Sequence, residues 1–95
     1  MSYPTYLTYG QRWHDEIDDE RHRQERLKKE GRFKHTCRDP EMSDEERLAV
    51  LVEEVGEVAR AVLEAKKLAN DVHGKALTKE LVQVAAVAVA WLESR

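Results

Sequence analysis

The chain is expected to fold as one all-helical domain spanning residues 1–95, with an antiparallel helical hairpin joined to a long N-terminal helix. Three observations predict this. With 41% hydrophobic and 37% charged residues but only four Gly and two Pro, the composition suits long charged helices better than a turn-rich sheet. Apolar residues recur at three- and four-residue steps, the spacing of one helix face. No repeat or low-complexity linker divides the 95 residues, which hold too little apolar material for two separate cores.

The first helix is expected from about Thr8 to Lys34, opening with Thr8 and Gln11 at capping-box spacing. Its apolar face is weak. Tyr6, Tyr9, Trp13, Ile17 and Leu27 follow helical steps, but Glu20 and Gln24 fall on the same stripe, which is unusual for a plain core helix. The rest, from Asp15 to Lys29, alternates in charge and reads as a solvated face with partners one turn apart. Pro40 and the absence of periodicity mark His35 to Met42 as a connection. Ser43 and Glu46 then form a capping box that starts a second helix, Asp44 to about Leu68. Asn70 to Gly74 reads as a stop and turn before a third helix, about Ala76 to Glu93. Two helices of similar length joined by a short polar turn pack most simply as an antiparallel hairpin.

The chemistry lies on the second and third helices. At about 100° per residue, Val50, Leu51, Val55, Val58, Ala61, Val62, Ala65 and Leu68 share one broad face of the second helix. Glu54 falls inside that face and Glu57 at its border, whereas Glu53, Arg60 and Glu64 belong to the polar side. On the third helix Glu80 falls within the stripe of Leu77, Val84, Val87 and Trp91, with Gln83 one turn away. A carboxylate turned toward a core needs a cation, a metal or hydrogen-bond donors to compensate it. In a hairpin the pairs Glu54/Glu57 and Glu80/Gln83 would converge, and their oxygen-only donors suit magnesium, manganese or calcium rather than zinc. The alternatives are a salt bridge to Arg21, Arg47 or Lys79, and simple surface decoration of charged helices.

The segments LVEEVGEVARAVLE (Leu51 to Glu64) and ELVQVAAVAVAWL (Glu80 to Leu92) resemble the MazG-like all-alpha nucleoside triphosphate pyrophosphatases, over about residues 44–94. The resemblance implies a magnesium-dependent enzyme that splits a nucleoside triphosphate between its alpha and beta phosphates. It implies magnesium ligands at Glu54, Glu57 and Glu80, the positions that match the family's paired E-x-x-E and E-x-x-D motifs. Gln83 stands where that pattern has aspartate; its carbonyl can ligate a metal but brings no charge. A second function class therefore stays open, a catalytically silent helical module for self-association or for nucleotide or protein binding. In the enzyme reading Glu53 would orient or deprotonate the attacking water, although its polar face also fits plain solvation. Lys34 and Arg38 would contact phosphates, or else serve as unpaired surface cations.

The net charge of -3 argues against a dedicated nucleic-acid binder. Cys37, the single cysteine, excludes an internal disulfide, and a cytoplasmic location is expected. The apolar run from Leu81 to Leu92 is too short for the ~20 residues of a membrane span. His14, His22, His35 and His73 lie in polar stretches without metal-ligand spacing, so solvent exposure is expected of them. Because the third helix is apolar nearly all round, a homodimer or higher oligomeric bundle is expected, with Val82, Ala86 and Val89 facing a partner chain or the first helix.

Overall fold

A computed structural model describes residues 10–67 and 72–95, in which three helices pack together: α1 (Gln11–Lys29), α2 (Asp44–Lys67) and α3 (Val72–Glu93). Both α1 and α2 lie against α3 and scarcely touch each other. Trp91 Nε1, near the end of α3, donates to Asp44 Oδ1 at the start of α2 (2.8 Å), so these two helices run in opposite directions. None of the helices is long and apolar enough to cross a membrane.

The expected start of α2 is borne out, because Ser43 Oγ accepts from the Glu46 amide (3.1 Å) and Glu46 Oε1 accepts from the Ser43 amide (3.0 Å). The end of α1 is corrected from Lys34 to Lys29. Gly31 takes φ 80°, which glycine adopts without a side-chain clash, and the amide of Arg32 reaches back to the carbonyl of Leu27 (2.8 Å). That is a Schellman stop, and it releases the chain before Lys34. At its other end α1 begins after Gly10 without a side-chain cap, and the expected cap at Thr8 lies outside the described residues, as do Tyr6 and Tyr9. The start of α3 is corrected from Ala76 to Val72, so Gly74 is helical rather than part of the turn. Leu68 and Asn70, the expected end of α2 and start of the turn, lie outside the described residues.

The core is thin, since its buried apolar residues are Leu27, Cys37, Ala61, Ala86, Val87 and Ala90, with Met42, Val50 and Leu51 packed beside them. Ala86 and Ala90 let neighbouring helices approach α3 closely. Two buried guanidinium groups supply what the small side chains do not. Arg21 Nε donates to Glu93 Oε1 (2.7 Å), tying α1 to the end of α3, and its other nitrogens meet Gln24 (2.7 Å) and Glu25 (2.8 Å). Arg47 donates to the carbonyls of Cys37 (2.9 Å) and Asp39 (2.7 Å), shaping the connection that precedes α2. Within that connection the Asp39 carboxylate meets His35 Nδ1 (2.8 Å), the Glu41 amide (2.9 Å) and Lys28 Nζ (3.1 Å), which together hold its pKa well below the usual range.

The inward face assigned to α2 is too broad. Val55 is 51% exposed and Val62 38%, because α3 covers only a narrow strip of α2 and α1 does not reach it. A second apolar stripe of Leu48, Val52, Val55, Ala59 and Val62 consequently faces outward on α2, at alternating steps of four and three. On α3, Ala86 is fully covered, while Val82 and Val89 are half-buried and line grooves shared with α1. Of the two expected faces, these residues therefore take the one toward the first helix.

The Arg47 clamp gives a direct test of what organises the connection. Arg47→Met should lower unfolding free energy in urea by about 3 kcal/mol, because two buried carbonyls lose a charged donor. A loss below about 0.5 kcal/mol would show the connection to be held by its own turns.

Candidate carboxylate site

Glu54 projects from the middle of α2 toward α3, where it is half-buried. Its nearest polar neighbour across the interface is Gln83. With the amide turned so that nitrogen faces the acids, Gln83 Nε2 donates to Glu54 Oε2 (3.2 Å) and to Glu80 Oε2 (3.2 Å). The opposite orientation would set the amide oxygen against two carboxylate oxygens. One neutral amide thus supplies both of its N–H groups to a pair of acids that would otherwise repel.

The compensation is incomplete. Burial first, and then the charges of Glu80, Glu53, Glu57 and Glu20, push the Glu54 carboxyl above its ordinary pKa. Among the described residues no Arg, Lys or His nitrogen lies within 4.0 Å of it, and the three cations considered for a salt bridge are placed elsewhere. Arg21 serves Glu25 and Glu93, Arg47 serves Asp44, and Lys79 is exposed on α3.

The other candidates divide between the site and the surface. Glu57 is half-buried, with one oxygen 3.9 Å from Arg60. Glu53 is exposed on the outer side of α2 and lies outside the lining of the cavity beside Glu54. Lys34 is exposed, and Arg38, also exposed, stands 3.8 Å from Glu93; neither lines that cavity. Among the described residues the one trio of His, Cys, Asp or Glu side chains whose ligand atoms all fall within 4.8 Å is His35, Asp39 and Glu41. Glu54, Glu57 and Glu80 therefore stand further apart than that. The trio in the connection has a structural explanation, since Asp39 is already engaged by Lys28, His35 and a backbone amide. His14 and His22 are exposed as expected, and His35 is mostly exposed but bound to Asp39.

Beside Glu54 and Gln83, a cavity of about 240 Å³ opens between α1, the connection, α2 and α3. Its far wall is largely apolar, with Phe33, Met42, Val50, Val87 and the thiol of Cys37, whose pKa burial pushes up, and it also carries His35 and Thr36. Its near wall carries Glu20 and Gln24 from α1. Glu20 is only 13% exposed at the side chain and accepts from Gln24 Nε2 (3.1 Å) and Arg23 (3.1 Å). These are the two polar residues that interrupt the apolar stripe of α1, an interruption now explained by the cavity they face. The sequence carried this signal without revealing the destination.

Protein-family models, curated proteins and solved structures were all compared with the chain, and none matches it.

The raised Glu54 pKa has a consequence for stability. A carboxyl that binds its proton more tightly when folded stabilises the fold in acid, and that contribution is lost as pH rises through the raised value. Glu54→Gln should therefore raise the melting temperature at neutral pH, with a gain that shrinks as pH falls below the usual carboxylate range. Calorimetry across pH checks this. An unchanged or lower melting temperature at neutral pH would mean that the Gln83 amide already compensates the charge.

Proposed function

We propose that the chain is a magnesium-dependent nucleoside triphosphate pyrophosphohydrolase, releasing a nucleoside monophosphate and pyrophosphate. The observation that carries this reading is the half-buried, under-compensated Glu54, set opposite Glu80 at the mouth of a cavity of about 240 Å³. The sequence resemblance of the two helical segments adds to it.

The donor set fits a hard divalent cation, since every candidate atom is oxygen and the raised Glu54 pKa marks a site that positive charge would relieve. Glu54, Glu57 and Glu80 would hold the ion, joined by the Gln83 carbonyl once its amide turns over; manganese is the close alternative. When bound, magnesium supplies charge stabilisation for a phosphoryl group under attack by water. The chain's own residues do the remaining work. Glu20 returns from α1 the negative charge that Gln83 lacks, and the apolar far wall excludes water from one side of the bound nucleotide. Glu53, exposed on the outer side of α2, is left with solvation rather than with positioning the water.

The experiment is pyrophosphate release from a panel of canonical and modified nucleoside triphosphates, with magnesium, manganese or chelator. Glu54→Ala is expected to abolish a metal-dependent release seen in the wild type. Absence of release from every substrate would discard the enzyme.

A specific observation favours a second reading, the catalytically silent module, because the Gln83 amide already bridges the two acids without a metal. Gln83→Asp separates the two. A large gain in magnesium affinity and turnover would identify a weakened metal site, whereas no change would exclude this position as a ligand.

Under either reading we infer a homodimer or higher helical bundle, in which the three helices are repeated around a shared seam. The outward stripe of α2 supports it: its alternating four- and three-residue steps are the spacing at which one helix seats against another copy of itself. Val55→Glu should convert an oligomer into monomer in light scattering after gel filtration, with helicity retained. A wild type that is already monomeric would remove the seam.

A further inference from the structure

The cavity beside Glu54 continues into a second, more open groove of about 730 Å³ between α1 and the first half of α3. Glu20, Arg23 and Gln83 line both, so the carboxylate site is a waist between two compartments. The two sides differ in chemistry. The closed side presents Phe33, Met42, Val50 and Val87, which offer a ring-sized ligand apolar contact, while its polar His35 and Thr36 are already bound to Asp39 and Glu25. The open side carries cations. There Arg12 pairs with Glu16 (3.4 Å) and Arg23 with Glu20 (3.1 Å), which leaves Lys75 and Lys79 without a carboxylate within 4.0 Å among the described residues, against one acid, Asp19.

Resting on the nucleotide reading above, the structure assigns a polarity to the ligand, and we propose that the α1/α3 groove is a polyphosphate site in which Lys75 and Lys79 grip the outer phosphates. The base then lies in the closed compartment on the far side of the waist. This moves phosphate recognition from Lys34 and Arg38, which line neither compartment, to the start of α3. The argument is one of exclusion and complementarity. A polyanion entering the closed side would meet Glu54 and Glu20, and the two basic side chains there, Arg23 and His35, are already paired with Glu20 and Asp39. In the groove the same polyanion meets two ammonium groups one helical turn apart, neither with a carboxylate within 4.0 Å among the described residues. A magnesium-bound triphosphate carries less negative charge than the free anion, so two lysines and the waist suffice to complement it.

The probe is inorganic magnesium tripolyphosphate, titrated calorimetrically into the full chain. Lys75→Glu/Lys79→Glu should weaken its binding by about tenfold or more. Lys29→Glu, the same charge reversal on an exposed residue outside the groove, should change it by less than about twofold at physiological salt. Circular dichroism checks that all variants stay helical. No binding to the wild type, equal losses in groove and control variants, or a loss confined to Lys34→Glu would each overturn the assignment. Failure of pyrophosphate release with tripolyphosphate binding intact would remove the enzyme and leave the groove. Glu54-dependent release with an unchanged KM in the lysine variant would remove the groove and leave the enzyme.

Discussion

A core built mostly of small side chains governs this structure. Where three alanines, one valine, one leucine and a thiol are the buried apolar groups, burial alone cannot fix how helices lie against one another, because it is non-directional. Direction comes from two guanidinium groups. Arg21 sets the distance between α1 and the end of α3, and Arg47 gathers the carbonyls of the connection before α2. A planar, permanently charged fork suits this work, since each nitrogen points along a different fixed line. The apolar far wall of the cavity, with Cys37 and Met42 in the connection, stands where Arg47 places it.

The same thinness explains the central acids. Turning Glu54 and Glu80 toward each other between α2 and α3 sacrifices apolar contact in a protein that has little to spare, and the Gln83 amide recovers part of the loss. The arrangement is a balance. An amide donates two modest hydrogen bonds, a cation would supply far more electrostatic compensation, and the half-burial of Glu54 leaves solvent with access to the pair.

Much of the architecture was readable from residues alone, and the failures have physical causes. The capping box at Ser43 and the inward angle of Glu54 are local properties, set by hydrogen-bond geometry and helical pitch, and both reappear in the structure. The end of α1 was placed too late because Gly31 was passed over in a long charged stretch, although its left-handed turn ends the helix. Val55 and Val62 were placed inward because periodicity reports which residues share a face, not how wide a neighbour covers it. Glu20 and Gln24 were recognised as out of place on α1, but only tertiary packing shows that they face a cavity between four segments.

The near-absence of contact between α1 and α2 bears on cooperativity. In a bundle where every helix touches every other, losing one interface leaves alternative paths by which order is maintained. Here the outer two helices are linked through α3 and through the connection, which Lys28 and Glu25 hold to α1 and Arg47 holds to α2. Disruption of α3 dissolves both helix–helix interfaces at once. Amide protection is accordingly graded by position in this chain of contacts, deepest around Ala86 to Ala90 and shallower in α1. Because α1 contributes Glu20, Arg23 and Gln24 to the cavity and is tied to the end of α3 through Arg21 and Glu93, the shape of the cavity depends on that tie.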